Sequence, residues 1–200
     1  MENIVYFRTL EEEDYILIHK WYNDDDLKKL SVGLNRRLSL EEARQWVLKR
    51  RGPLQYEVWW AICSVKDNRL VGYASLNSIH YINRTAEFGG IVIGDPEFRD
   101  GLAWIQTYMF VFEYAFQRLN LNRLSGAYIE AHPQTSVISK AFFFQREGLR
   151  REAIFKNGKY YDLAESGILA SEYYEHLQNG DYEIRNIIKR IAKISKELKT

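Results

Sequence analysis

The part of the chain with the clearest chemical meaning is the segment Glu87–Ala103, which reads EFGGIVIGDPEFRDGLA. An apolar, strand-like run leads into a short loop, and the loop opens a long helical pattern at Gly101. The first amide N–H groups of a helix have no partner inside it, and together with the helix dipole they attract phosphate oxygens. Gly101 allows close approach of the backbone, and Ala103 keeps the first turn slim. The segment therefore predicts a helix start that can bind phosphate.

Two features leave the role of this segment open when it is taken alone. Gly89 and Gly90 interrupt the strand-like run, which indicates a β-bulge or a place where another chain-like group meets the backbone. The helix start also has a second interpretation, in which Asp100 is an ordinary N-cap and no ligand is involved. Other parts of the chain must decide between the two interpretations.

The segment resembles the cofactor loop of the GNAT superfamily of N-acyltransferases. Members of that superfamily bind the CoA pyrophosphate at an Arg/Gln-x-x-Gly-x-Gly/Ala loop, and pantetheine lies beside the preceding strand like an added strand. The resemblance implies that pantetheine meets the backbone of Ile91, Val92 and Ile93. It also implies that five consecutive loop residues hold the pyrophosphate through their amides, namely Arg99, Asp100, Gly101, Leu102 and Ala103.

Two other blocks of sequence extend the resemblance over residues 4 to 175. Residues 144–163, FQREGLRREAIFKNGKYYDL, are similar to the C-terminal block of the family. Residues 8–14 and 21–24, with Glu172-Tyr173 after the last predicted strand, resemble one branch of it. That branch contains ribosomal-protein N-terminal acetyltransferases and aminosugar-nucleotide N-acetyltransferases. The blocks follow one another in the family's order, which supports the assignment.

Acyl transfer to an amine needs a route for the amine's proton and support for the oxyanion at the thioester carbon. The resemblance makes Glu87 the first candidate for the base, directly or through water, because acids at that strand position serve so in some relatives. A solvated carboxylate at a strand end is the competing interpretation. His132 is the second candidate, since it follows a strand near the point where the family's two central strands separate. His80 is the remaining histidine near this segment.

The sequence departs from the family's pattern at several positions. Phe98 stands where the phosphate loop carries Arg or Gln, and Asp100 adds a negative charge beside the expected phosphates. Relatives often carry a tyrosine, the acid for the leaving thiolate, three or four residues before a closing Gly-Phe pair. Counted back from Gly148, that position is Phe144, and Val137 stands where the family has an asparagine. Either water or another group protonates the thiolate, or the activity is low or lost.

Hydrophobic periodicity predicts the elements that position these residues. The predicted strands are Ile4–Thr9, Tyr56–Val65, Leu70–Tyr81, Thr85–Ile93, Arg123–Ala131, Leu149–Phe155 and Tyr160–Leu169. The predicted helices begin near Tyr15, Ser39, Gly101 and Thr135, the last running to Glu147 with Gly148 as its C-cap. The helix from Gly101 makes its flanking strands parallel neighbours. The prediction is an α+β fold with a mixed, mostly antiparallel sheet of about seven strands flanked by helices.

Composition and charge narrow the class of protein. Apolar residues make up 46% and charged residues 28%, with a net charge of +1, which disfavours a nucleic-acid partner. The lone Cys63, the absence of a signal-peptide pattern and the lack of an apolar membrane span favour a cytoplasmic protein. We expect one domain, residues 1–178, with an appended amphipathic helix in 179–200 that reaches Lys199 and can support a homodimer.

The leading hypothesis is an acetyl-CoA-dependent N-acetyltransferase that acts without a covalent enzyme intermediate and without a metal. Its acceptor is expected to be a primary amine on a small molecule, with an aminosugar or sugar nucleotide favoured through the branch resemblance. The alternatives are a protein N-terminal acetyltransferase and a catalytically silent module that binds acyl-CoA or a partner. Several aromatic residues could line an acceptor pocket or simply fill the core, namely Trp46, Tyr56, Trp59, Trp60, Tyr73 and Tyr81.

Overall fold

The computed structural model of the chain describes residues 2–33, 36–52 and 54–198. Eight strands form one sheet in the order β1-β2-β3-β4-β6-β8-β7, with the short β5 pairing β3 beside β4. The strands are β1 (Val5–Arg8), β2 (Val58–Ser64), β3 (Leu70–His80), β4 (Thr85–Phe88), β5 (Val92–Ile93), β6 (Arg123–Ile129), β7 (Gln145–Lys156) and β8 (Lys159–Leu169). All pairs are antiparallel except β4 with β6. The predicted mixed sheet is confirmed, with one strand more because the run Thr85–Ile93 is split.

Seven α-helices accompany the sheet in the described part of the chain. They are α1 (Tyr15–Tyr22), α2 (Asp25–Lys28), α3 (Leu40–Arg50), α4 (Leu102–Phe112), α5 (Pro133–Ala141), α6 (Ala170–Gln178) and α7 (Ile184–Glu197). The predicted capping box of α3 is present, with Ser39 and Glu42 each accepting a backbone N–H of the other. Sequence periodicity did not indicate α2 or α6, since one is a single turn and the other is largely polar.

Helices cover both faces of the sheet and bury two separate apolar cores. On one face, α1 and α3 pack over β1, β2 and β3, and Trp21, Val47 and Cys63 are buried there. On the other face, α4 crosses between β4 and β6, and Phe112 lies at the centre of a large aromatic core. Burial raises the pKa of the Cys63 thiol, which is therefore a structural core residue, as predicted.

The hairpin of β7 and β8 is anchored near its tip to the segment that follows α2. Asn157 and Gly158 form the predicted two-residue turn, both with positive φ, at 49° and 78°. Just before the turn, the buried ammonium of Lys156 donates to the carbonyl oxygens of Lys28 and Ser31. These bonds hold the hairpin against the loop that follows α2.

The predicted helix Thr135–Glu147 with Gly148 as its C-cap is wrong. Helix α5 ends at Ala141, and Phe143 takes a positive φ of 63° just beyond it. The amides of Phe143 and Phe144 then donate to the carbonyls of Lys140 and Ser139, which closes the helix end. Gly148 lies inside β7, opposite Glu165. The apolar residues 141–144 continue the helical period, so the pattern alone extends the helix too far.

Helix α7 packs against α5 of its own domain. Its Ile187 is fully buried, and Arg190 donates to the carbonyl of Ala141 at 2.7 Å while its guanidinium lies 4.1 Å from the ring centre of Phe143. No helix in the described ranges has both the length and the apolar character needed to cross a bilayer. Lys199, counted in the predicted amphipathic helix, lies outside the described residues.

Candidate active site

The two central strands of the sheet separate at Glu87. Parallel pairing of β4 with β6 covers Thr85 to Glu87, opposite Arg123 to Ser125. Beyond this point β5 pairs only with β3, and the rest of β6 pairs only with β8, among the strands that the structure describes. The facing edges of β5 and β6 therefore leave backbone N–H and C=O groups available to an extended, amide-bearing ligand.

A β-bulge in residues 89–91 turns β4 into β5. Between the pairs Leu76–Phe88 and Tyr73–Val92, the chain advances three residues on β3 and four on the other strand. That extra residue is the bulge that the paired glycines predicted. A Cβ on Gly89 would lie 2.2 Å from Ser75 Oγ and 2.9 Å from the Ser75 carbonyl oxygen, so only glycine fits there. The bulge bends the strand away from β6 and opens the cleft.

The helix start at the end of the cleft has free amides. Gly101 has a φ of 103°, in the left-handed region that favours glycine. Within the described chain, the amides of Asp100, Gly101, Ala103 and Trp104 donate no hydrogen bond. Fully buried Ala103 keeps the first turn of α4 close to the core. These residues fit a pyrophosphate, because several adjacent N–H groups and a helix N-terminus meet at one turn.

The other predicted loop contacts are partly used inside the protein. The Arg99 guanidinium donates to the carbonyls of Ile93 and Gly94, at 3.1 and 2.6 Å, and thus ties the loop to the end of β5. The Asp100 carboxylate accepts the Leu102 amide at 3.0 Å. The N-cap residue of α4 is Gly101, so the prediction of Asp100 as the N-cap is wrong, although its carboxylate does accept an amide of the first turn.

Glu87 lies on the face of the sheet covered by α1 and α3. Its carboxylate is exposed and forms no hydrogen bond or ion pair with a described residue. Directly across the strand pair stands Asn77, and Ser75 follows two residues away on the same face. Asn77 Oδ1 and Ser75 Oγ are buried and have no partner among the described residues. Glu87 therefore borders polar atoms that can accept hydrogen bonds from a bound amine or water.

An aromatic cluster continues this polar face towards α3. Trp46 lies 4.7 Å from Trp59 and 5.8 Å from Tyr73, measured between ring centres. The Arg50 guanidinium stacks 4.4 Å above Trp46, and the Glu57 carboxylate accepts the Trp59 indole N–H at 2.6 Å. The cluster forms an aromatic wall on the Glu87 face of the sheet. The other aromatic residues considered from the sequence lie in the opposite core or at the surface, namely Trp60, Tyr56 and Tyr81.

The structure places His132 far from Glu87. It follows the end of β6, so the strand rise puts it about 13 Å or more beyond Ser125, the partner of Glu87. His132 caps α5, its Nδ1 accepting the Thr135 amide at 3.4 Å, and burial lowers its pKa. A neutral imidazole that accepts at Nδ1 carries its proton at Nε2, which suits a hydrogen-bond donor better than a base. His80 accepts the Asn83 amide in an exposed turn.

The half-buried position of His132 gives stability a pH dependence. Its folded-state pKa lies below the unfolded value, so the unfolded chain binds the proton more readily, and stability falls as pH drops below about 6.5. We expect His132→Asn, which keeps a capping side chain, to show a flatter loss of unfolding free energy between pH 8 and 5. Urea unfolding across this range is the measurement, with His19→Asn as control. Parallel curves for wild type and His132→Asn would contradict the prediction.

A polar cavity of about 260 Å³ lies beside the cleft, between α5 and the strands β6, β7 and β8. Tyr128, Ser136 and Ser139 bring hydroxyl groups to it, and none of the three hydroxyls bonds to a described residue. Phe144 borders the cavity but belongs to the aromatic core, 5.7 Å from Phe112. The sequence analysis counted four residues back from Gly148 and reached Phe144. Because α5 closes at Phe143, the same count reaches Ser139. Sequence reasoning missed Ser139 because it placed the helix end at Gly148.

Sequence comparisons find relatives of this chain among N-acetyltransferases. The spermidine N(1)-acetyltransferase of Vibrio cholerae serotype O1 is 32% identical over 105 residues, which are 52% of this chain and 59% of that protein. The ribosomal N-acetyltransferase-like protein YdaF of Bacillus subtilis (strain 168) is 27% identical over 107 residues, which are 54% of this chain and 57% of that protein. The chain thus spans little more than half the length of these two relatives.

The fold comparison covers more of the molecule. The crystal structure of spermidine N-acetyltransferase from Vibrio cholerae in complex with CoA and spermine has a TM-score of 0.78 and 25% identity, over 86% of this chain and 99% of that one. The family model described as an acetyltransferase (GNAT) domain matches residues 5–141, which run from β1 to the end of α5. With its separated central strands and its helix start of free amides, the chain belongs to the GNAT acetyltransferase family.

Proposed function

We propose that this protein transfers an acetyl group from acetyl-CoA to a primary amine of a small molecule. The observation that carries the proposal is that two features follow one another along the chain. The open edge of β5 leads through a short loop to the free amides at the start of α4. An extended, amide-bearing carrier with a pyrophosphate fits that pair of sites, since the edge offers hydrogen bonds in register and the helix start offers amides for phosphate.

Direct attack by the amine is the proposed route. Cys63, the chain's single thiol, is fully buried in β2 and so cannot carry an acyl group at the cleft. In the proposed reaction Glu87 takes the proton of the attacking amine, directly or through a water held near Ser75 and Asn77. Backbone amides near Ile91 support the oxyanion. His132, at the far end of the cleft, can donate a hydrogen bond from its Nε2–H group.

Two acceptor classes remain in the proposal, and different observations favour them. The flat rings of Trp46 and Trp59 suit an aminosugar or sugar nucleotide, which stacks a ring on an aromatic face. The exposed carboxylate of Glu87 suits a polyamine, and relatives named as spermidine acetyltransferases support this second class. Arg50 already covers the Trp46 and Trp59 rings, which leaves less aromatic surface for either acceptor, so substrate assays must separate the two classes.

The test measures CoA binding and acetyl transfer separately. Calorimetry with CoA examines the cleft, and release of free thiol from acetyl-CoA is followed with an aminosugar nucleotide, spermidine and a peptide with a free N-terminus. We expect CoA binding and turnover with a small-molecule amine. Turnover only with the peptide favours a protein N-terminal acetyltransferase. CoA binding without turnover favours a silent binding module, and failure to bind CoA overturns the proposal.

Asp100 supplies a prediction about cofactor affinity. In Asp100→Asn the side-chain oxygen still caps the Leu102 amide, but the negative charge beside the phosphates is removed. We expect CoA to bind about 5-fold more tightly at low salt, with the gain shrinking as salt screens the charge. Asp24→Asn is the matched control, since Asp24 also caps a helix but lies at α2. Weaker binding by Asp100→Asn in calorimetry would contradict a phosphate site at this turn.

A further inference from the structure

We propose that Tyr128 is the group that gives a proton to the sulfur of CoA as it leaves. This inference rests on the proposed function and assigns a residue that neither the sequence motifs nor the comparisons indicate. It begins from the position of Tyr128 on β6, three residues beyond Ser125, in the part of the strand that no longer pairs with β4. Tyr128 therefore stands on the open side of the cleft.

The orientation of the side chain follows from strand alternation. Leu124 is buried in the core on the α4 side of the sheet, so Gly126 and Tyr128 face the same side. The Tyr128 side chain lines the polar cavity between β6 and α5. Tyr128 therefore lies on the α4 side of the sheet and borders the cavity beside the open edge of β6.

The phenol has the freedom that a proton donor needs. Its hydroxyl forms no hydrogen bond with a described residue, and its side chain is half-buried, so the O–H group is available to a ligand. Helix α5 offers only the shorter hydroxyls of Ser136 and Ser139 to the same cavity. Phe144 has no proton to donate, and it is packed among Phe88 and Phe112. Among the cavity-lining hydroxyls, Tyr128 has the longest reach.

The proposed step balances as follows. The amine nitrogen forms a bond to the thioester carbonyl carbon, the carbon–sulfur bond breaks, and its electron pair goes to sulfur. The Tyr128 O–H proton goes to that sulfur, Glu87 takes the proton of the amine, and solvent then returns a proton to the phenolate and takes one from Glu87. Because an alkyl thiol with a pKa of about 8.5 is mostly protonated at neutral pH, a donor placed at the sulfur lowers the barrier.

Tyr128→Phe removes this proton and little else. We expect kcat to fall about 30-fold, a modest share of what acid–base catalysis contributes, while the Kd for CoA and the melting temperature stay at wild-type values. Tyr161→Phe in β8 is the matched control and is expected to keep full activity. Steady-state kinetics of thiol release, with calorimetry for CoA, gives these values. An unchanged kcat in Tyr128→Phe, with the wild type active, overturns the role of Tyr128 and leaves the proposed function standing.

A rescue experiment separates proton donation from packing. Ser139 borders the same cavity, which has room for a larger side chain, so Ser139→Tyr in the Tyr128→Phe background brings a phenol back from the helix side. We expect this double variant to recover at least about 5-fold in kcat, whereas Ser139→Phe in the same background recovers none. Equal recovery by Tyr and Phe overturns the inference. A wild-type protein that fails to bind CoA, or binds it without turnover, overturns the proposed function and this step with it.

Discussion

Glu87→Gln is expected to lower kcat about 1000-fold, because glutamine keeps the shape of the side chain but cannot accept the proton of the attacking amine. The carboxylate is exposed and unpaired among the described residues, so its loss leaves folding unchanged. It lies opposite Asn77, on the other face of the sheet from α4, so CoA affinity should also be unchanged. Steady-state kinetics of thiol release, together with CoA calorimetry, checks both expectations.

The pH dependence of the variant provides a second readout. Without a base, the enzyme depends on amine that is already neutral in solution, so kcat/KM of Glu87→Gln should rise with pH more steeply than that of the wild type. Glu152→Gln is the matched control, since Glu152 is also an exposed strand carboxylate but lies in the β7–β8 hairpin. If Glu87→Gln keeps the wild-type rate, Glu87 is a solvated strand-end residue and the base must be sought elsewhere.

Much of the cleft could be predicted because its parts are local. Glycines at 89 and 90 indicated the bulge, and a loop that opens a helix at Gly101 indicated free amides. Each of these features depends on residues that are close in the sequence. The parallel pairing of β4 with β6 followed from the helix α4 between them, because parallel neighbouring strands need a crossover connection, which is usually a helix.

The residues that were missed depend on contacts across the fold. Ser75 and Asn77 are ordinary strand residues until β4 places Glu87 opposite Asn77 and Gly89 beside Ser75. Tyr128 gains its meaning only when β4 stops pairing with β6. No spacing in the sequence carries this information, because strand register and separation are set by packing on both faces of the sheet.

The error at the end of α5 has a different physical origin. Phenylalanine rarely takes a positive φ, so nothing in the sequence marks Phe143 as a helix-closing residue, whereas Gly148 carries the usual signal. Burial of Phe142 and Phe144 in the aromatic core decides the outcome, since residues two positions apart on a helix point roughly 200° apart and could not both face Phe112. Tertiary packing therefore overrides the local preference and ends α5 at Ala141.

Gly101→Ala is expected to weaken CoA binding about 50-fold, because any other residue is strained by a few kcal/mol at this left-handed φ. A Cβ at Gly101 would meet nothing within 4 Å, so the change tests backbone conformation without a steric clash. To relieve the strain the turn must rotate its amides, and those of Asp100, Gly101 and Ala103 would no longer point to one place. Isothermal calorimetry with CoA measures the loss.

Gly52→Ala is the matched control for this substitution. A Cβ at Gly52 would likewise meet nothing within 4 Å, but Gly52 lies beyond α3, away from the cleft, and its φ is not in the left-handed region. We expect its CoA affinity and turnover to equal those of the wild type. If Gly101→Ala binds CoA as tightly as Gly52→Ala, the amides at the start of α4 do not hold the pyrophosphate. The free helix start would then be only a structural feature, and the cofactor would have to be held through the strand edge alone.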